Sequence, residues 1–374
     1  MNKKKILFLI TNLGHGGAER VLINLVNHMD QEKFDITVQT LFDVGIYQDY
    51  IKDGIRYIGG YKRYPRGNTV IMKLFSPKRL YKHFIKEDYD VIISYLEGPT
   101  ARVVSGCTNK KTKLISWIHI EQETLDYASK SFRSRKEAIN CYKKFNKIIC
   151  VSEGIRKDFN NIFKFEKDIS VIYNTIESDK IKLKSLERIE EVNFNSKEIN
   201  IISVAKLMKT KGYDRLISVT KRLIDEGYPL HVYIVGKGEE KGSLEKQVSH
   251  LGLNKNWTFV GFTSNPYKYV RGADLYVCSS RREGFSTAVT EALIVGTPVV
   301  STNCSGAYEL LGKENEYGIV TENNEEALYQ GIKTMIDGDN LTYYRKKAEE
   351  RGKEFNADNT TKEVEKMIQE VLES

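Results

Sequence analysis

Short apolar runs punctuate the chain, and between them apolar residues recur every three or four positions. The runs are ILFLIT (6–11), DITVQTL (35–41), DVIISYL (90–96), KLISWIH (113–119), KIICVS (147–152) and ISVIYN (169–174). A second series follows: INIISVA (199–205), LHVYIVG (230–236), WTFVG (257–261), DLYVCS (274–279), PVVST (298–302) and GIVT (318–321). Runs this short, rich in Val, Ile and aromatic residues, predict buried strands, whereas segments such as AERVLINLVNHM (18–29) have helical spacing. Strands alternating with helices predict parallel sheets covered on both faces. The alternation restarts after a charged, irregular stretch, TIESDKIKLKSLERIEEVNFNSKE (175–198), which reads as a hinge and linker. The prediction is therefore an α/β protein of two doubly wound domains, 1–175 and 176–356. The closing NADNTTKEVEKMIQEVLES places Asn and Asp before an amphipathic pattern and predicts a terminal helix, 357–374, joined to the first domain.

Length agrees with that division, since 374 residues exceed one ordinary core. A hydrophobic share of 40% and a charged share of 29% are those of a soluble globular protein, and no run of about eighteen apolar residues suggests a membrane span. The ILFLI run is too short for a signal peptide and lacks a cleavage site, so it is read as a first strand. Five scattered cysteines (Cys107, Cys141, Cys150, Cys278 and Cys304) form no C-x-x-C pair, which points to a reducing cytoplasm and to neither a metal site nor a disulfide framework.

Charge changes the picture more than composition does. Residues 1–175 carry 30 Lys and Arg against 19 Asp and Glu, a net of +11, while 176–374 carry 28 against 31. In the first half the cations interleave with aromatics, as in GYKRYPRGNTVIMKLFSPKRLYKHFIK (60–86) and KSFRSRKEAINCYKKFNK (130–147). Such segments suit an anionic surface or form a solvated helix face. No nucleic-acid module accompanies them, so the expected partner is the anionic inner face of a membrane and not nucleic acid.

In doubly wound sheets ligands sit beyond the carboxyl ends of the strands. After the first strand, NLGHGGAER (12–20) joins strand to helix through three glycines. Gly16 and Gly17 permit either close approach of an anion to a helix amino end or simply a tight turn. Glu19 occupies the place of the third glycine of a dinucleotide fingerprint, which argues against one. The richest junction is DLYVCSSRREGFSTAVTEALIVGTPVVST (274–302). There Glu283 lies in a loop, Glu291 lies in the following helix, and the amides of Phe285, Ser286 and Thr287 lie at the helix start, suited to an anion. Two other junctions add Lys206 and Lys211, which could converge on a polyphosphate, and Gly236, Gly238 and Gly242 in a loop allowing close backbone approach. Together they describe a pocket for a nucleotide diphosphate. Asp88-Tyr89-Asp90 matches a D-x-D metal motif only superficially, because it runs straight into the strand VIISYL.

GGAER, SWIHIEQ, ICVSEGIRKDF, VIYNTIE, VAKLMKTKGYDRLI and SSRREGFSTAVTEALIVGTPVVST, spread over nearly the whole chain, resemble the family-4 retaining glycosyltransferases. The resemblance implies GT-B architecture, two Rossmann-like domains facing across a cleft, the first binding acceptor and the second donor. It implies that Glu291 binds the ribose hydroxyls, Glu283 lies beside the donor sugar, Lys206 and Lys211 hold the diphosphate, His119 contacts the sugar, and Gly16 and Gly17 lie near donor phosphate and acceptor. Many relatives carry arginine where this chain has Lys206, which keeps the charge but loses the bidentate fork. The expected activity is metal-independent, cofactor-free transfer of a hexose or N-acetylhexosamine from a nucleotide diphosphate sugar, uridine first and guanosine second. The expected acceptor is a glycan or lipid-linked molecule of capsule, exopolysaccharide or cell-wall synthesis, at the inner membrane face. A sugar-nucleotide epimerase, a nicotinamide oxidoreductase and a catalytically silent partner subunit remain alternatives, the first two disfavoured by the Glu283/Glu291 spacing.

Overall fold

The computed structural model describes residues 3–14, 16–63, 67–165 and 169–374. His15 of the glycine loop and Tyr64, Pro65 and Arg66 of the basic segment lie outside them. The chain divides into two compact units, Met1–Ile176 with Ala357–Ser374, and Glu177–Asn356.

The first unit is built on seven strands: β1 (Lys4–Ile10), β2 (Phe34–Thr40), β3 (Arg56–Ile58), β4 (Val91–Ser94), β5 (Lys113–Ile118), β6 (Lys147–Cys150) and β7 (Ile169–Val171). Their order is β3-β2-β1-β4-β5-β6-β7, with every neighbouring pair parallel. The second unit repeats the plan with β8 (Ile199–Val204), β9 (Leu230–Val235), β10 (Trp257–Gly261), β11 (Leu275–Cys278), β12 (Val299–Thr302) and β13 (Ile319–Thr321), ordered β10-β9-β8-β11-β12-β13. In each sheet the first strand is central. The chain winds outward to one side, then returns to the other, leaving a switch point between β1 and β4 and another between β8 and β11. Central strands such as β4, β11 and β12 are buried along their whole length, which is why they read as continuous apolar runs and not as alternation. All twelve runs form strands. β3, missed by pattern, is a three-residue edge strand with partly exposed side chains followed by Gly59 and Gly60.

Helices cover both sheets. Gly17–His28 packs against the terminal helix Ala357–Glu373, and the Asp30 amide donates to Glu365 Oε1 at 2.6 Å. Thr175, the last residue but one of the first stretch, is tied to both helices: its carbonyl accepts from Asn24 Nδ2 at 3.2 Å and its hydroxyl meets Thr360 Oγ1 at 3.3 Å. The stretch expected to be an irregular linker contains a helix, Ser178–Ser185, whose Ser178, Ile181 and Ser185 are buried in the second unit. Its three lysines and one aspartate hid that face from the periodicity.

One ion pair in the first unit is deeply buried. Arg102, with no exposed surface, donates to Glu137 Oε2 at 2.9 Å, to the Met72 carbonyl at 2.8 Å and to the Phe75 carbonyl at 2.8 Å. Burial opposes the charge on Glu137, but the Arg102 and Arg133 donors outweigh it and hold the carboxyl below its ordinary range. Replacing Arg102 with Ala removes the counter-charge of that carboxylate and the side-chain donor to two carbonyls, so it should destabilise the first unit by about 3–5 kcal/mol. Calorimetry is the check: the unfolding transition of the first unit should move down, and an unchanged transition would show that solvent takes over the role of Arg102.

Candidate functional site

The loops after β8 and β11 flank the switch point of the second sheet, and hydrogen bonds staple them together. Gly212 makes this possible. Its φ is +64°, and a Cβ there would lie 2.1 Å from the Ser279 carbonyl. Ser279 Oγ donates to the Lys211 carbonyl at 2.9 Å, and the Arg281 amide to the Thr210 carbonyl at 2.7 Å. Arg281 grips both carboxylate oxygens of Asp214 at 2.7 Å. From beneath, buried Arg215 donates to the carbonyls of Ser279 (2.8 Å) and Ser280 (2.6 Å).

On this frame Lys211 Nζ meets Glu283 Oε1 at 2.6 Å, and Ser280 Oγ donates to the same oxygen at 2.6 Å. Burial works against the charge on Lys211, yet Glu283 more than compensates, and the ammonium is held above its ordinary pKa. The lysine is therefore charged at neutral pH. Lysine has three N–H donors, so pairing with Glu283 leaves two for a further anion. Lys206 is exposed, and its ammonium makes no ion pair or hydrogen bond among the described residues. Ser286 caps the helix Thr287–Ile294, accepting from the Val289 amide at 3.4 Å. Phe285 is buried, and Glu291 is 7% exposed within that helix. Gly236, at φ +147°, lies against the neighbouring loop: a Cβ would fall 1.9 Å from the Ala205 carbonyl. Its close approach is thus to the backbone carrying Lys206. Among the described residues no His, Cys, Asp and Glu side chains form a group that could hold a metal ion.

Three expected site residues, His119, Gly16 and Gly17, belong to the first unit, at the carboxyl edge of its own sheet. Gly17 opens the helix Gly17–His28 with Gly16 as its cap. A Cβ at Gly16 would fall 2.0 Å from Glu19 Oε2, so the helix amino end already has a carboxylate beside it. His119 follows β5. Its amide donates to Glu97 Oε2 at 3.0 Å and its ring lies 4.7 Å from that of Tyr95. Its Nε2 is buried with no hydrogen-bond partner among the described residues, as are Tyr95 Oη and Trp117 Nε1. Burial pushes the imidazole pKa down to about 3, so the ring is neutral at physiological pH.

Sequence reasoning missed Arg215, Ser280 and Glu97. Arg215 had a signal: it interrupts the inward face of GYDRLISV, flanked by buried Tyr213, Leu216 and Ile217.

Comparison with known proteins bears on both units. The profile described as "Glycosyl transferases group 1" matches residues 185–355, and that described as "Glycosyltransferase Family 4" matches residues 15–180. The chain is 30% identical, over 94% of its length and 96% of the other, to the N-acetylgalactosamine-N,N'-diacetylbacillosaminyl-diphospho-undecaprenol 4-alpha-N-acetylgalactosaminyltransferase of Campylobacter jejuni. It is 26% identical to the amylovoran biosynthesis glycosyltransferase AmsD of Erwinia amylovora, over 86% of this chain and 87% of that one. Among solved structures, Anabaena HepE in complex with UDP and glucose superposes with a TM-score of 0.76 at 19% identity, covering 98% of this chain and 99% of that one. Sucrose-phosphate synthase of Thermosynechococcus elongatus gives a TM-score of 0.79 at 14% identity, covering 99% of each.

The buried imidazole has a measurable consequence. In the unfolded chain His119 titrates near 6.5 and in the folded chain near 3, so between those values the unfolded state binds the extra proton and acid favours unfolding. The contribution is absent above pH 6.5 and grows as pH falls. The melting temperature of the first unit should drop more between pH 7.5 and pH 5 in the wild type than in His119→Gln. Equal slopes would mean that the folded imidazole protonates normally.

Proposed function

Because the chain belongs to the glycosyltransferases, we propose that it moves a hexose or N-acetylhexosamine from a nucleotide diphosphate sugar to a glycan or lipid-linked acceptor in surface polysaccharide synthesis. In this reading the nucleotide is uridine diphosphate, the anomeric configuration is retained, no metal is needed, and the enzyme works peripherally on the inner membrane face. The reading is carried by the Lys211–Glu283 pair at the β8/β11 switch point, flanked by exposed Lys206. The uridine assignment draws on HepE, crystallised with UDP and glucose, and the lipid-linked acceptor on the Campylobacter relative, named for a diphospho-undecaprenol substrate.

The pair suits the chemistry. When the bond from the anomeric carbon to the diphosphate oxygen breaks, its electron pair stays on that oxygen, and negative charge grows where preorganised cations are worth most. Lys211 offers its two remaining donors there while Glu283 fixes its position, and Lys206 adds a mobile charge. The Glu283 carboxylate also faces the positive charge that develops on the sugar. Glu291, fixed in its helix, supplies a carboxylate for the ribose hydroxyls, and the amides of Phe285, Ser286 and Thr287 favour phosphate. His119, with its low pKa, cannot serve as a base at neutral pH; its role is a hydrogen bond to a sugar hydroxyl, from the Nε2 that is otherwise orphaned. The proton of the acceptor hydroxyl then passes to the departing phosphate oxygen. Asp90 of the D-x-D triplet accepts from the Lys5 amide at 2.8 Å at the amino edge of the first sheet, remote from that sheet's carboxyl-edge loops.

Transfer kinetics of four proteins test this reading. Lys206→Ala and Lys211→Ala should each lower kcat, the latter by about a hundredfold to a thousandfold, the usual loss for one preorganised donor. Lys211→Ala should be the more damaging, because it also leaves the Glu283 carboxylate beside the phosphates without its counter-charge. Sugar selectivity should change little in either. Glu291→Ala should in addition weaken UDP itself, read as a smaller thermal shift; a ligand at a hundred times its dissociation constant stabilises by about 2.7 kcal/mol. Normal turnover of both lysine variants, or loss of activity with chelator and its return with a divalent ion, would overturn the mechanism.

A further inference from the structure

Among the described residues of the first unit, the helix Asn68–Lys73 and the turn after it turn their apolar side chains outward. Val70 is 66% exposed, Ile71 49%, Leu74 72% and Phe75 44%, and only Met72 faces inward. A helix of six residues is too short to hold itself together. Two arginines hold it instead. Arg102 takes the Met72 and Phe75 carbonyls, and Arg133 donates to the carbonyls of Lys73 (2.6 Å) and Leu74 (3.0 Å). The apolar side chains are therefore presented on a fixed base whose last carbonyls already have donors. That matters where water is scarce, since an unsatisfied carbonyl resists transfer into an apolar medium.

The surroundings identify the occupant. Lys62, Arg63, Lys78, Arg79 and Lys82 are exposed on either side in sequence, and no acidic residue occurs from Gly54 to Lys86. An apolar knob carried by a basic stretch of chain without acidic residues, the one carboxylate at its base, Glu137, being neutralised by Arg102, matches a surface that is anionic outside and hydrocarbon within. Nucleic acid has no use for the aliphatic side chains. We propose that Val70, Ile71, Leu74 and Phe75 insert into the headgroup boundary of an anionic lipid bilayer, with the neighbouring lysines and arginines on the lipid phosphates. The inference rests on the peripheral placement proposed above and on no part of the chemistry, so the donor-binding and kinetic tests stand separately from it.

The experiment uses the full chain and vesicles of equal parts phosphatidylglycerol and phosphatidylcholine, with pure phosphatidylcholine as control. The native tryptophans, Trp117 and Trp257, are buried, so a Leu74→Trp variant carries the one exposed indole. With anionic vesicles its emission should shift to the blue and be quenched by brominated acyl chains; with neutral vesicles it should not. Ile71→Ser/Leu74→Ser should co-sediment with an affinity lower by about tenfold or more, while its melting temperature and its shift with UDP stay those of the wild type. Failure of the wild type to bind anionic vesicles overturns the proposal. So does co-sedimentation with the indole unmoved, which would place another face on the lipid. A blue shift without lipid that grows with protein concentration, alongside dimers in light scattering, overturns it in favour of a second copy of the chain.

Discussion

The guanidinium of Arg215 is the fixed point of the second unit's carboxyl edge. It is 5% exposed, and burial together with the nearby Arg281 charge lowers its pKa from the ordinary arginine value. Such a group persists inside a protein only where acceptors replace its water, and here they are the carbonyls of Ser279 and Ser280. Holding those two carbonyls sets the turn that ends β11. The turn aims Ser280 Oγ at Glu283, Glu283 anchors Lys211, and the Lys211 carbonyl receives Ser279 Oγ, closing the circuit. No member can be displaced alone, so the charges are oriented before any ligand arrives.

The corresponding edge of the first unit is built from rings. There His119 Nε2, Tyr95 Oη and Trp117 Nε1, buried without a hydrogen-bond partner among the described residues, lie within a packed aromatic group. Each such atom costs stability in a medium that cannot solvate it. The Lys211–Glu283 pair and the His119 ring each lie beyond the carboxyl ends of their own sheet's strands, where the winding of that sheet opens a crevice.

How much of this was legible in the sequence depends on which force decides. Strands buried on both faces advertise themselves by composition alone, as IISV in β8 and LYVC in β11 do, whereas the order of strands in each sheet comes from the structure. β3 escaped because an edge strand of three residues is defined by its hydrogen bonds to β2 and not by apolar side chains. The helix Ser178–Ser185 escaped because its buried face is made of two serines and one isoleucine. Residue type and loop position mark Lys206, Lys211, Glu283 and Glu291 as candidates, of which the structure pairs Lys211 with Glu283. That Lys211 and Glu283 bond to each other, and that Gly236 gives way to the Ala205 carbonyl, are facts of distance between loops 72 and 31 residues apart. A linear pattern carries no such information. Arg215 shows the limit best, since an arginine on an apolar helix face is visible in sequence while the carbonyls it serves are not.

The helix Ala357–Glu373 belongs to the first unit although the whole second unit, Glu177–Asn356, separates it from the rest of that unit. Synthesis runs from the amino end, and domains fold as they emerge. All of the second unit's sequence is therefore translated before the helix that covers Gly17–His28, whose buried residues include Val21, Leu22, Leu25 and Val26. The first unit cannot cover that apolar seam until the seventeen residues of Ala357–Glu373 have been made, so the order of synthesis and the order of packing differ.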